Sequence, residues 1–84
     1  PILLAAPQST AAPTGGQAQF TVMASGQPPL QYQWQHEGTD LSGATASTLS
    51  LSNIQPTQSG AYTIRVTDTL GSTASPPAML IVQP

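Results

Sequence analysis

Few side chains in this 84-residue sequence could do chemistry. Glu37 and Asp40 are its one close pair of carboxylates, and a two-acid mechanism needs such a pair across a cleft. Three residues apart in a polar turn, they read as solvated loop acids. Calcium takes about six to eight oxygen ligands, more than that turn offers. His36 has no cysteine and no second histidine to complete a zinc set, and no serine or cysteine has a nucleophile's surroundings. It is assigned no role. Arg65 projects from the outer face of its strand, toward solvent or an acid. Gly15-Gly16 lacks the following helix of a phosphate loop, and Asn53-Ile-Gln is not an N-glycosylation sequon. Lysine is absent, so a Lys–Asn crosslink has no nucleophile. The expectation is no enzyme, no cofactor and no metal site.

The elements that would position these residues are strands. Between Leu49 and Val66 the chain alternates Leu49 and Leu51 with serines, turns through Asn53, Pro56, Ser59 and Gly60, and alternates again at Tyr62, Ile64 and Val66. That period of two marks half-buried strands. Gln17 to Ala24 places Ala18, Phe20, Val22 and Ala24 on one face, and Leu30, Tyr32 and Trp34 face in while Gln31, Gln33 and Gln35 face out. Pro1 to Pro7 reads as an edge strand with prolines at its margins, continued with a kink from Ser9 to Gly16. Ser25 to Pro29 is a loop, His36 to Ser42 a polar turn, Gly43 to Ser47 a connector and Thr48 to Ser52 a strand. Asp68 to Gly71 makes a hairpin turn, and Ala78 to Val82 is the last strand, with Ala78, Leu80 and Val82 inward. About seven short strands without a competing helical period predict an all-β sandwich of two antiparallel sheets. Inward parity takes all four aromatics, which weakens a sugar-stacking platform. The glutamine row beside Thr63 and Thr67 keeps hydrogen-bonding capacity for a glycan or a partner's backbone.

Residues 1–84 read as a single domain, and IVQP followed by PILLAAP would make a Pro-rich linker between consecutive similar domains. Charged residues make up 5% of the chain, against about 25% in ordinary globular domains. The formal net charge is −2. Without a basic footprint, nucleic acid and anionic lipid are not expected as partners. No apolar run reaches the ~20 residues of a membrane span. Cysteine is absent, so packing alone must stabilise the domain.

Three stretches, ASGQPPLQYQW (Ala24 to Trp34), LSGATASTLSLSNIQ (Leu41 to Gln55) and SGAYTIRV (Ser59 to Val66), resemble the immunoglobulin superfamily, closest to a bacterial member of the intermediate-set type. The resemblance implies a Greek-key sandwich with a core signature of Val22, Trp34, Leu51, Tyr62 and Ile64. It also implies a tyrosine corner, in which the Tyr62 hydroxyl swings back onto the turn before it. Val22 and Ile64 stand where the family often has its inter-sheet cysteines, and Gln58 stands where the corner turn usually has an aspartate. Both departures would make the domain independent of oxidation and, in that corner, of pH.

One feature breaks the local rule. Ile2, Leu4, Met79 and Ile81 take the outward parity of the two terminal strands. As a contiguous apolar patch they would contact a neighbouring domain or subunit. The sequence thus predicts a non-catalytic module of a secreted or cell-surface bacterial protein, a spacer or one unit of an extracellular array or fibre. The alternative is an adhesin or a carbohydrate-binding accessory module of a larger secreted enzyme.

Overall fold

The structure, a computed structural model, describes all 84 residues. β1 (Ile2–Ala5) pairs antiparallel with β4 (Met23–Ser25), and β3 (Gln17–Thr21) pairs antiparallel with β7 (Thr48–Ser52). β3 and β4 are one strand interrupted at Val22, so these four form one layer. The opposite sheet runs β2 (Thr10–Pro13), β10 (Ala78–Gln83), β8 (Gly60–Asp68), β5 (Gln31–His36) and β6 (Thr39–Asp40), with β9 (Gly71–Ala74) on the far half of β8. All its pairings are antiparallel except β2 with β10, which is parallel. The all-β sandwich is as expected.

The sequence reading counts fewer strands because several are broken. Pro7 is buried where the chain leaves β1 and crosses to the other sheet as β2. Pro76 and Pro77 cannot donate to a ladder, and they separate β9 from β10. Ser75 bridges that gap: its N–H donates to Ile64 O (2.9 Å) and its hydroxyl accepts from Ile64 N–H (3.1 Å). β6 corrects the reading of His36 to Ser42 as a plain polar turn. Glu37 and Gly38, both at positive φ (51° and 82°), form a two-residue turn whose twist suits a hairpin, so Thr39 and Asp40 pair back on β5.

Between the layers lies one core centred on Phe20, Trp34, Ile54, Tyr62, Ile64, Val66 and Leu80. Phe20 reaches from its own sheet to stack on Tyr62 (centroids 5.1 Å) and tilt against Trp34 (6.1 Å). Val22 is buried with them, and Leu51 is only half-buried. Ile54, just beyond β7, is fully buried and closes the base of the core.

The tyrosine corner is present: Tyr62 donates its hydroxyl to Gln58 O at 2.5 Å. Gln58 is the third residue of a short 3-10 turn (Pro56–Gln58), and its side-chain oxygen caps the Gln55 N–H at 2.7 Å. An amide thus does the capping that an aspartate would do. We expect Tyr62→Phe to lower unfolding stability by about 1–2 kcal/mol, the net worth of the lost bond in a partly buried setting. Ser75→Ala should cost about 1–3 kcal/mol, because it strands the buried Ile64 N–H. Urea denaturation reads both, and unchanged midpoints would remove these two bonds from the account.

Candidate interaction surfaces

The ionisable residues do not converge: no three of His, Asp and Glu gather in one place. Of the three acids, Asp68 alone binds loop backbone. Glu37 and Asp40 are exposed, yet Asp40 accepts from Gln35 Nε2 at 2.7 Å, and the Glu37 side chain lies over Gly60. A Cβ at Gly60 would collide with Glu37 Oε1, and the positive φ of 131° there independently requires glycine. His36 is not a free loop residue, which corrects the sequence reading. It ends β5, stacks on Tyr62 at 4.5 Å between centroids and bonds Ser59 O through Nε2 at 2.9 Å. Burial and then the Glu37 carboxylate push the Tyr62 hydroxyl pKa above its ordinary value.

Asp68 ties one pole together. Its Oδ1 accepts from the N–H groups of Leu70 (2.8 Å) and Gly71 (3.0 Å), shaping the turn from β8 to β9. Its Oδ2 accepts from Gln27 N–H (3.1 Å) and lies 3.1 Å from the Pro1 nitrogen. The loop before β5 therefore packs on the turn after β8, and a Cβ at Gly26 would strike the same carboxylate oxygen. Desolvation of the carboxyl raises its pKa, but the hydrogen bonds donated by the amides of Leu70 and Gln27 pull it down, and the pKa is lowered.

On the outer face of the larger sheet, Gln31, Gln33 and Gln35 stand opposite Thr67, Arg65 and Thr63. A hollow of about 430 Å³ lies over Tyr32, Gln33 and Arg65. The glutamines are largely committed, however. Gln33 Nε2 donates to Leu41 O (2.8 Å) and Trp34 O (2.9 Å), and Gln35 bridges Asp40 and Thr63.

The four apolar residues do not make one patch. Ile2 and Leu4 stand on β1, beside Met23 across the strand pair, whereas Met79 and Ile81 stand on β10 in the opposite sheet, beside Ala61 and Ala11. All are exposed, from 44% at Met79 to 67% at Ile2. Facing away from a shared core, the two pairs occupy opposite outer faces. Parity revealed their exposure but not the sheet each strand joins. Leu70, 81% exposed at the turn tip, is a further apolar surface residue, and no alternation around it announces its exposure.

A depressed carboxyl stabilises the fold fully above its unfolded pKa, and the contribution disappears as pH falls through the folded value. The wild-type melting temperature should therefore fall on acidification below about pH 4. Asp68→Asn should show a flatter acid limb from a lower starting point. Parallel wild-type and variant curves would remove Asp68 as the acid-sensitive tie.

The family model for the immunoglobulin domain matches residues 1–68. Among solved structures, the titin M3 domain is similar with a TM-score of 0.86 and 25% identity, over 99% of this chain and 96% of that one. The titin Z1Z2 domains in complex with telethonin match with a TM-score of 0.83 and 24% identity, over 96% of this chain and 46% of that one. The titin M10–obscurin-like 1 Ig complex matches with a TM-score of 0.86 and 23% identity, over 98% and 93%. With Trp34 central, the Tyr62 corner in place and the two sheets packed as described, the chain belongs to the immunoglobulin domain family.

Proposed function

We propose that this domain is a non-catalytic structural module, intermediate-set-like, of a secreted or cell-surface bacterial protein, and that it serves as a spacer or repeating unit of an extracellular array or fibre. The observation that carries the reading is the placement of the chain's two ends. Pro1 sits beside Asp68 at the far end of β8, while Gln83 sits beside Thr14 (2.8 Å), beyond the Gly60 end of the same strand. The nine residues of β8 separate these poles by roughly 27 Å, in a body 43 Å long and 22 Å wide. Such a module adds length wherever it is inserted.

The two apolar pairs fit the same role. Unlike surfaces that meet between successive copies generate open assemblies, whereas one self-complementary patch closes a dimer. Ile2 and Leu4 of one copy against Met79 and Ile81 of the next would be a contact of the open kind. Neutral faces stack without desolvating ions, which suits a chain with so few charges. The telethonin and obscurin-like partners of the titin domains support protein, rather than a small molecule, as what this fold meets. A glycan-binding role draws less support, because Gln33 and Gln35 already spend their amides within the chain.

Electron microscopy and native mass of the intact material test the reading. Elongated particles or fibres built from this domain are expected. Met79→Thr with Ile81→Thr should shorten or abolish them while the domain stays folded. Unchanged assembly in the double variant would sink the contact. A lone domain attached to an enzyme, with glycan binding, would replace the structural role by the accessory one.

A further inference from the structure

β7 forms the rim of its sheet, and no strand pairs with its outer edge. Its register with β3 is unbroken from Thr48 to Ser52. Val22 N–H donates to Ser47 O at 3.0 Å, and this bond fixes the phase of the ladder. In an antiparallel pair alternate residues aim both backbone groups at the partner strand. Leu49 and Leu51 therefore spend theirs on β3, while Thr48, Ser50 and Ser52 aim theirs outward. β7 pairs with no other strand, and no loop takes up these groups. Beside the rim runs a groove walled by Leu41, Ala44 and Leu51, which explains why Leu51 is only half-buried.

Exposed strand edges template pairing with another chain, and proteins blunt them with prolines, charges, bulges or short length. The other rims here carry such devices. β1 has a register break between Leu3 and Ala5, β2 ends in Pro13, β6 is two residues with Asp40, and β9 runs from Gly71 toward Pro76-Pro77. β7, Thr-Leu-Ser-Leu-Ser, has none of them.

We propose that β7 is a self-pairing edge: two copies of this chain join their β7 strands antiparallel about Ser50, extending the sheet across both molecules. In that register Ser50 faces its own image and Thr48 faces Ser52 of the second copy. The outward N–H and C=O groups of all three residues then meet in phase. A second copy fits better than an unrelated strand because, at a two-fold axis, each side chain near the axis meets its own image. Any charge there would repel itself, and the outer-face neighbours Gln17, Gln19, Ser50 and Ser52 are neutral. Pairing would also cover the open flank of Leu51. Five residues a side bury far less than the roughly 1,200–2,000 Å² of a stable interface. The free domain therefore associates weakly, and tethering copies in one assembly raises the effective concentration. This side-by-side contact does not depend on how copies meet end to end.

Sedimentation velocity of the 84-residue chain over a concentration series tests it, with amide exchange on the same samples. The expected result is a reversible dimer at high concentration, with exchange at Thr48, Ser50 and Ser52 slowing as it forms. Ser50→Pro removes an N–H that β3 does not use, and Ser50→Lys sets like charges against each other at the axis. Each should weaken dimerisation at least tenfold with the fold retained by circular dichroism. If the proline variant fails to fold, the lysine variant decides. A chain that stays monomeric, a dimer that both variants leave intact, or capture of extended peptides without self-association would each overturn the proposal.

Discussion

Trp34 is the point from which this sandwich is held. Without a disulfide to staple its sheets, the domain needs another tie through its middle, and this fully buried residue supplies it in three directions. Its N–H donates to Ala44 O (3.0 Å), its carbonyl accepts from Leu41 N–H (2.9 Å), and its indole N–H donates to Ala46 O (2.8 Å). The connector between β6 and β7 forms no strand, yet these bonds anchor it along the rim of β5. Phe20 closes the ring system from the opposite sheet. A buried indole with no acceptor would be costly, so the connector and the tryptophan fix each other.

The scarcity of charge is not indifference to electrostatics. The three acids lie at or beside turns, and Asp68 holds backbone there. Asp68 collects amides from two loops, Asp40 anchors the glutamine of β5, and Glu37 lies over Gly60 beside the corner. Apart from the exposed apolar residues of β1, β10 and the Leu70 turn, the remaining surface is largely hydroxyl and amide, which satisfies its hydrogen bonds locally or in water. Recognition by a strong field is therefore foreign to this surface, and contact through shape and backbone is what it offers.

How much of this was legible in the sequence follows from how local each signal is. Alternation at Gln17 to Ala24 and Tyr62 to Val66 located strands and their buried faces, since period two is written in neighbouring residues. The corner was legible for the same reason: Tyr62 and Gln58 are four residues apart. Ile54 was missed because it is buried just past the end of β7, where no alternation flags it. The grip of Asp68 on Gln27 spans 41 positions, and the stacking of His36 on Tyr62 joins two strands, so neither leaves a periodic trace. β6 hid behind a turn of Glu and Gly rather than the more telling Asn and Gly. The exposure of the four apolar residues was readable from parity, but their division between two faces required knowing where β1 and β10 pair.

The parallel pairing of β2 with β10 has a mechanical meaning. The chain enters β2 from β1, whose start lies at the Asp68 pole, and leaves β10 at the other pole. Tension between the two ends pulls these neighbouring strands past each other along their length. Bonds from Thr10 to Pro13 against Leu80 to Gln83, with both donors of Thr14 on Gln83 O, then bear the load together. In this geometry the sandwich resists as a lap joint does, by shear over its full overlap, where a hairpin pulled open from its ends would lose its bonds in succession.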